Sequence, residues 1–574
     1  MKKESKENII IIGIIILSII LSTIFIFDKI TYQGVDTEYH MSRIIGIVNS
    51  WKAGNVPAYI HLDTYGYGYA MGFFYSNIFM IIPCLLYAKG VNIMIAYKIF
   101  ILLCSIFTAI SMYFCSKEIS KSKYCATIST VLYTTCSYRI ITMVIKSFAG
   151  EILSFIFIPI IILGLYELIF NDERKWWLFA LGFIGILNSN LVMTEIMIVI
   201  SLAMVICNIK TIFTEKTRLI GFIKATVFAL IISAGFWMPL IEQLVKSTFV
   251  MTQKMVIYSP RRWLLDFSGI FLGFVQYKNN IAAGYGLGLI FIVILLFRLK
   301  IKENNKIIKF CDISILIGLV LLLCMTNFFP WKKLEKIGEM LQFPSRMEIP
   351  VSAFFSIACG IICGYLAQKG KKTKIAILAL IVVYQSVFSI VCLASCVKEI
   401  EKQLYVDSKE KIAIEQDFKY NVCDGIYLPQ GADFYDIQMD KRHLFEREEY
   451  TTNNDNLEVI EYEKENLKIK LKFQNNNEPD SYIEVPMFYY YGYVAVSNNN
   501  SEYKIEKGPS GKIRVYLGEN RKGTIEIYYR NTVIQKTSIV ISFVSTVAIL
   551  GYVIVKKRGE KNQKRISEHN NSCV

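Results

Sequence analysis

Gly34-Val35-Asp36-Thr37-Glu38-Tyr39-His40-Met41-Ser42-Arg43 is the first polar stretch after an opening apolar run at 9–27. It places two carboxylates, a histidine and an arginine at a membrane boundary. If a helix runs from here to 53, Asp36, His40 and Arg43 share one face at i, i+4 and i+7, while Glu38 lies about 200° round from Asp36. Such a stripe can meet an anionic head group and an acceptor hydroxyl together. A plainer reading competes with it, in which Asp36 is an N-cap, Gly54 closes the same helix and the polar side faces water.

Composition settles the class. Of 574 residues, 54% are hydrophobic and 19% charged, and runs near 20 apolar residues recur, long enough to cross a hydrocarbon core. The net charge of +16 does not point to nucleic acid, because the lysines and arginines gather in short loops between apolar runs, as the positive-inside bias requires. The fourteen cysteines lie mostly inside apolar segments and offer neither a disulfide framework nor a spaced zinc site. The basic start before 9–27 resembles a signal peptide, but the run is long and no small-residue cleavage site follows, so it reads as a retained helix.

Laying the basic loops on one side gives the topology. The opening helix exits, and 28–92 forms a long outer loop in which 73–88, short and interrupted by Pro83, reads as an interfacial helix. Spans then follow at 91–115, 124–141, 152–170, 176–189, 191–208, 222–240, 281–297, 309–328, 349–367, 375–396 and 537–555. The expectation is a mainly α polytopic membrane protein with about 12 transmembrane helices. Both termini are cytoplasmic and the protein sits in the plasma membrane.

The domains expected are a membrane domain at 1–396, a mildly acidic extracytoplasmic segment at 397–536, and a last helix with a basic tail at 537–574. The soluble segment opens with a helix to about Gln416. It then turns to period two, with Leu467, Ile469, Leu471 and Phe473 alternating with Lys468, Lys470 and Lys472, as a half-buried antiparallel strand requires. An extracytoplasmic β-rich domain, a small sandwich, is the economical reading.

On this topology Asp36, His40, Arg43, Arg139, Glu151, Asn190, Arg346 and Glu348 gather at outer helix ends or outer loops, and ionisable groups at membrane depth are expensive enough to suggest a cavity opening outward. Each has a bland alternative: Arg139 and Arg346 as anchors to lipid phosphates, Glu151 as a carboxylate on a helix N-terminus. The run Tyr489-Tyr490-Tyr491-Gly492-Tyr493 is better suited to packing a sandwich or touching the bilayer than to binding sugar. No phosphate loop or dinucleotide fingerprint is present. The four histidines are too scattered for a metal site, which leaves a lone divalent ion, Mg or Mn, on Asp36 and phosphate oxygens as the metal expectation.

Seven motifs in order carry a family resemblance: the 36–43 stretch, Phe73-Phe74-Tyr75, Gly150-Glu151, Phe236-Trp237-Met238-Pro239, Gln342-Phe343-Pro344-x-Arg346, Tyr427-Leu428-Pro429 and Tyr489 to Tyr493. Together they resemble bacterial membrane proteins labelled pyruvoyl-tetrahydropterin-synthase-related, close to the YfhO group. That resemblance implies a GT-C-like architecture and an inverting glycosyltransferase that takes sugar from a polyprenyl-phosphate carrier. The acceptor implied is an envelope polymer, glycolipid or protein.

Asp36 matches the family's acid in the first outer loop, with Glu38 a second candidate. Arg346 and Arg43 would neutralise the leaving phosphate, Glu151 and His40 would orient donor or acceptor, and Arg139 and Gln342 complete the expected binding set. Ser345 stands where relatives often have Trp, and Asn190 where His is common. Two other classes compete: a lipid-linked-sugar transporter using the same cavity, and a non-catalytic envelope organiser relying on the β-domain.

Overall fold

The computed structural model describes residues 2–27, 34–62, 66–252, 264, 287–407, 425–432, 450–476, 480–549 and 551. Helices come first: α1 (Lys2–Thr23), α2 (Thr37–Lys52), α3 (Met71–Phe74), α4 (Ile81–Ala88), α5 (Ile93–Ser120), α6 (Lys123–Thr134), α7 (Ser137–Ile141), α8 (Ala149–Phe170), α9 (Trp176–Leu187), α10 (Leu191–Cys207), α11 (Ile209–Thr214), α12 (Lys216–Ile232) and α13 (Ala234–Lys246). Further on, the main helices are Lys306–Cys324, Glu348–Ala367 and Lys371–Asp407. Side-chain caps set several starts: Asn92 accepts from the Met94 amide at 2.9 Å, Asn190 from Met193 at 2.9 Å and Asn305 from Ile307 at 3.0 Å.

The chain is a multi-pass membrane protein, but the expected 12 spans are not reached. Among the described residues six helices are long and apolar enough to cross, or up to eight if each bent pair is one span. Of the expected span at 281–297, residues 281–286 lie outside the described residues; elsewhere the shortfall is one of length and bending. At 1.5 Å per residue, α9 reaches only about 18 Å against a core of about 30 Å, and α10 and Val533–Ile549 are also short.

Two expected spans are broken. The helix at 124–141 with an outer loop beyond it is instead α6 and a second helix, Ser137–Lys146, bent by 44°. At the break Thr135 Oγ1 donates to the Val131 carbonyl at 2.6 Å, and Arg139 Nη1 takes the Thr134 carbonyl at 2.7 Å, so the ladder is diverted rather than extended. Arg139 and Lys146 therefore sit on helical turns, not in a loop. The span at 222–240 bends by 73° between α12 and α13, where the Ser233 carbonyl accepts from both Phe236 and Trp237 and Ser542 Oγ takes the Gly235 amide at 2.7 Å. Lys371–Asp407 is one helix across the expected 396/397 boundary; 408–416 lie outside the described residues.

The C-terminal part is an eight-stranded antiparallel sheet: β1 (Thr451–Thr452), β2 (Leu457–Glu465), β3 (Lys468–Asn475), β4 (Tyr482–Phe488), β5 (Tyr493–Ser497), β6 (Glu502–Lys507), β7 (Lys512–Tyr516) and β8 (Lys522–Tyr529), in the order β1-β4-β7-β6-β5-β8-β3-β2. β3 alternates as expected, Ile469, Leu471 and Phe473 inward against Lys468, Lys470 and Lys472 outward. The sheet does not enclose a private core. Its inward residues join Tyr59, Tyr67, Phe73, Phe74, Phe249, Tyr427 and Tyr490 in one cluster, separate from the core of the helical part. Tyr59, Tyr67, Phe73 and Phe74 of the first loop thus share one core with the β-domain, while Met41, Ile44, Met80 and Cys84 of the same loop pack in the helical part.

A polar clamp fastens the β-domain to α13. Glu242 Oε2 accepts from Thr532 Oγ1 at 2.7 Å and Gln535 Nε2 at 3.3 Å, Gln535 donates to the Tyr529 hydroxyl at 2.8 Å, and Gln243 donates to the Tyr491 carbonyl at 2.6 Å. Replacing Glu242 with alanine strands these buried donors at a cost of about 1–3 kcal/mol. The expected sign is faster hydrogen exchange in β5 and β8, with exchange in α8 unchanged.

Candidate active site

The opening stretch is anchored by its backbone. Val35 N donates to the Ile145 carbonyl at 2.8 Å and Asp36 N to the Lys146 carbonyl at 3.0 Å. A side chain at Gly34 would press on Ser147 Cβ at 2.8 Å and the Val144 carbonyl at 2.9 Å, so glycine permits this approach. Asp36 is the N-cap of α2, yet its side chain makes no capping bond. The docking sets the first acid beside the Lys146 turn.

From Lys146 a buried chain of charges runs inward. Its Nζ lies 3.9 Å from Glu151 Oε2 and donates to the Tyr138 hydroxyl at 2.9 Å, which donates to Glu151 Oε2 at 3.0 Å. Arg346 Nε donates to Glu151 Oε1 at 2.7 Å and Arg346 Nη1 to Gln342 Oε1 at 2.7 Å. Glu151 is fully buried and Arg346 is 7% exposed. A carboxylate at the first turn of α8 also meets a favourable helix end. Burial of such a pair is tolerable only because further donors satisfy the remaining oxygen.

His40 holds the same junction from α2. Its Nε2 accepts from the Ala149 amide at 3.2 Å, capping α8, and burial first, then the Arg43 charge, push its pKa well below the ordinary value. His61, also buried, is pushed down to about 3 by burial, with Arg43 adding to the effect. Both rings are neutral when folded, whereas the unfolded chain protonates them below 6.5. Stability is therefore complete above that pH and is lost as pH falls towards the depressed values, by about 1.4 kcal/mol per unit for each ring. Thermal unfolding between pH 7.5 and 5 should show this slope, and a His40→Asn/His61→Asn double variant should flatten it.

Arg346 and Gln342 also line a cavity of about 510 Å³. Lys336 and Glu339 line it too, with the aromatic rings of Phe74, Tyr75, Phe236 and Tyr427 and the apolar side chains of Leu187, Leu191 and Val192. Phe74 stacks on Tyr427 with ring centroids 4.6 Å apart. Glu195 of α10 and Asn190 complete the lining.

The expected site residues divide. Glu151, Gln342 and Arg346 are in direct contact, Asp36 and His40 join them through the 144–149 turn, and half-buried Glu38 follows on α2. Arg43 bonds the cavity-lining segment: its Nη2 donates to the Ser76 carbonyl at 2.7 Å and Asn77 Oδ1 at 3.2 Å, and its guanidinium lies 5.3 Å from the Tyr75 ring centroid. Arg139 is spent inside the helical core on Ser22, Ser105 and Thr134. Among the described residues no three His, Cys, Asp or Glu side chains converge as a metal cage.

Sequence reasoning passed over Tyr138, Glu195, Lys336 and Glu339. Only Glu195, a lone carboxylate one turn into an apolar helix, carried a readable signal. Tyr138 could be found only by seeing Glu151 and Lys146 close around it.

No curated protein matches the sequence. Among solved structures the chain is similar to the archaeal oligosaccharyltransferase AglB from Archaeoglobus fulgidus in complex with an inhibitory peptide and a dolichol-phosphate, at TM-score 0.36 and 10% identity. That match covers 74% of this chain and 61% of the other, so the chain spans less than two thirds of that protein's length. The family model described as bacterial membrane protein YfhO matches residues 64–411, well over half of the sequence, and the chain belongs to that family.

Proposed function

We propose that the protein is a membrane glycosyltransferase that moves a sugar from a polyprenyl-phosphate carrier to an envelope polymer, glycolipid or protein on the outer face. One observation supports this most: a buried guanidinium, oriented by Glu151 and Gln342, lines a cavity that also carries aromatic rings, apolar side chains and the charged groups of Lys336, Glu339 and Glu195. That combination suits a ligand with an anionic phosphate, a sugar face and a prenyl chain. Arginine's forked donors fit phosphate oxygens better than a lysine would.

In this reading Arg346, backed by Lys146, stabilises the negative charge left on the carrier phosphate as the glycosidic bond breaks. Asp36 takes the proton of the acceptor hydroxyl as general base. It does not line the cavity, so the acceptor would approach from the α2 side of the Lys146–Glu151 pair. Glu151 and His40 position the turn between the two. A divalent ion on Asp36 would draw its remaining ligands from phosphate and water, since the neighbouring groups make no cage, and no step is assigned to it.

The test is purified protein in liposomes with a radiolabelled polyprenyl-phosphate sugar and an envelope extract. Label passing to the extract with release of polyprenyl phosphate is expected; label that never leaves the lipid refutes the assignment. A lipid-linked-sugar transporter is the second reading, favoured by buried polar atoms deep between helices, including Ser352, Ser356, Gln385 and Ser389. It requires the labelled lipid to equilibrate across vesicles without any acceptor.

The side of the membrane is part of the proposal. A cysteine replacing exposed Glu502 on β6 should react with an impermeant maleimide in intact cells. Protection there would invert the topology.

A further inference from the structure

A second cavity, of about 320 Å³, lies at the other end of the helical bundle from Arg346. Glu348–Ala367 begins two residues after Arg346 and reaches this cavity with Tyr365 and Ala367, so its 20 residues, about 30 Å of helix, separate the two. Four candidate spans meet there: Ile93–Ser120 and Pro344–Ala367 run into it, and Lys306–Cys324 and Lys371–Val397 start beside it. The cavity thus lies at a membrane boundary, at the level where apolar spans give way to Lys123, Lys306, Lys371 and Lys372.

Its lining is one-sided in charge. Lys374 lines it and, among the described residues, no carboxylate does, whereas Glu195 and Glu339 line the first cavity. The Lys374 ammonium stands 5.2 Å from the Tyr124 ring centroid and 3.5 Å from Glu7 Oε1, a loose pair with about half of each side chain exposed. The Tyr124 hydroxyl donates to the Lys374 carbonyl at 2.9 Å, which fixes the first turn of Lys371–Asp407 against α6. On the same lining the Tyr365 hydroxyl accepts from Asn305 Nδ2 at 2.6 Å, leaving its own hydrogen to donate. Gln368 adds an amide, and Ile307, Ile361 and Ala367 add apolar surface.

An ammonium, a hydroxyl and an amide beside apolar side chains suit a phosphate ester that carries a hydrocarbon tail. We propose that this cavity binds the head group of an anionic phospholipid, with the phosphate on Lys374 in place of Glu7 and the glycerol end against Tyr365 and Gln368. An exposed pair at 3.5 Å is worth little, so the exchange of Glu7 for phosphate costs little. The membrane boundary favours a lipid over a phosphate ester in solution, because lysines there already face an anionic surface. The bound lipid ties the α5–α6 turn to the start of Lys371–Asp407. Nothing in this inference depends on sugar transfer or on which side of the membrane that end occupies.

The experiment uses the full chain, stripped of co-purifying lipid in detergent. The probe is dioleoylphosphatidylglycerol, with dioleoylphosphatidylcholine as its zwitterionic counterpart and glycerol 3-phosphate as the water-soluble ester. Native mass spectrometry reads binding and hydrogen exchange locates it. The anionic lipid should be retained in preference to the zwitterionic one, and exchange should slow at 120–125 and 371–376. Lys374→Gln should weaken binding by about tenfold or more, the worth of a charge-assisted hydrogen bond. Lys372→Gln, on the same helix but outside the lining, should weaken it less. Ala367→Phe keeps every charge, fills the cavity and should abolish retention.

Protection in the parent alone tests the site whether or not the variants fold. Equal retention of the two lipids overturns the anionic head group. Protection near 342–346 in place of 120–125 moves the lipid to the first cavity and overturns this site. Equal weakening by Lys374→Gln and Lys372→Gln reduces the contact to diffuse surface attraction and refutes the cavity. If glycerol 3-phosphate displaces the lipid at equal concentration, the ligand is a soluble phosphate ester and the lipid assignment fails.

Discussion

Replacing Arg346 with alanine is expected to destabilise the folded chain by about 3–5 kcal/mol and to abolish transfer. Glu151 has no exposed surface, and its carboxylate is held by Arg346 at 2.7 Å, Tyr138 at 3.0 Å and Lys146 at 3.9 Å. Removing the guanidinium leaves a buried anion facing one hydroxyl and one distant ammonium. That residual support puts the cost towards the lower end of the range.

The pair can be separated from the site by a cycle. Arg346→Met combined with Glu151→Gln should recover part of the lost stability, because the Glu151 anion is no longer stranded, while buried Lys146 gives up its carboxylate partner at 3.9 Å. It should recover none of the activity. Arg346→Lys should keep more stability than alanine but lose the forked contact to Glu151 and Gln342, and with it most of the phosphate recognition. Detergent-solubilised thermal unfolding reads the first quantity and sugar transfer the second. An alanine variant as stable as the parent would show that this ion pair does not hold α8 to the Pro344 turn.

The second large effect belongs to the base. Asp36→Asn is expected to lower transfer by about 10²–10⁴-fold, the usual worth of a positioned proton acceptor. The backbone anchor of Asp36 on the Lys146 carbonyl is untouched by the substitution, and thermal unfolding read beside transfer separates loss of the base from loss of the fold. Glu195→Gln is the control, since Glu195 lines the cavity itself. A fully active Asp36→Asn enzyme beside an inactive Glu195→Gln one would move the base from α2 to α10 and put acceptor and donor in the same cavity.

Much of the fold was readable along the chain because its signals are local. Apolar runs marked the spans and basic loops spaced them. The alternation from Leu467 to Phe473 marked a strand that forms as read. The number of spans is what composition left open: α9, with 12 residues, has the composition of a span at little more than half the length of one.

The site was legible in part for the same reason. Glu151, Gln342 and Arg346 stood out as charged or amide groups at helix ends, and they meet. Arg43 and Arg139 carried the same signal, and the structure puts the first on the carbonyls of the 75–77 segment and the second on hydroxyls and a carbonyl of the helical core. An arginine seeking carbonyls or hydroxyls to satisfy its donors looks, in one dimension, like one awaiting phosphate.

By itself the sequence determined that this is a multi-pass membrane chain with a β-rich body near its C-terminus, since hydropathy and period-two alternation depend only on near neighbours. Only the tertiary structure decided that α6 turns at Thr135, that the first loop divides its apolar residues between the sheet's core and the helical one, and that Lys146 links Asp36 to the Glu151–Arg346 pair. Those outcomes depend on which distant donors and acceptors find each other when charge is buried. A residue 195 positions away in the chain from its partner leaves no periodic trace of that choice.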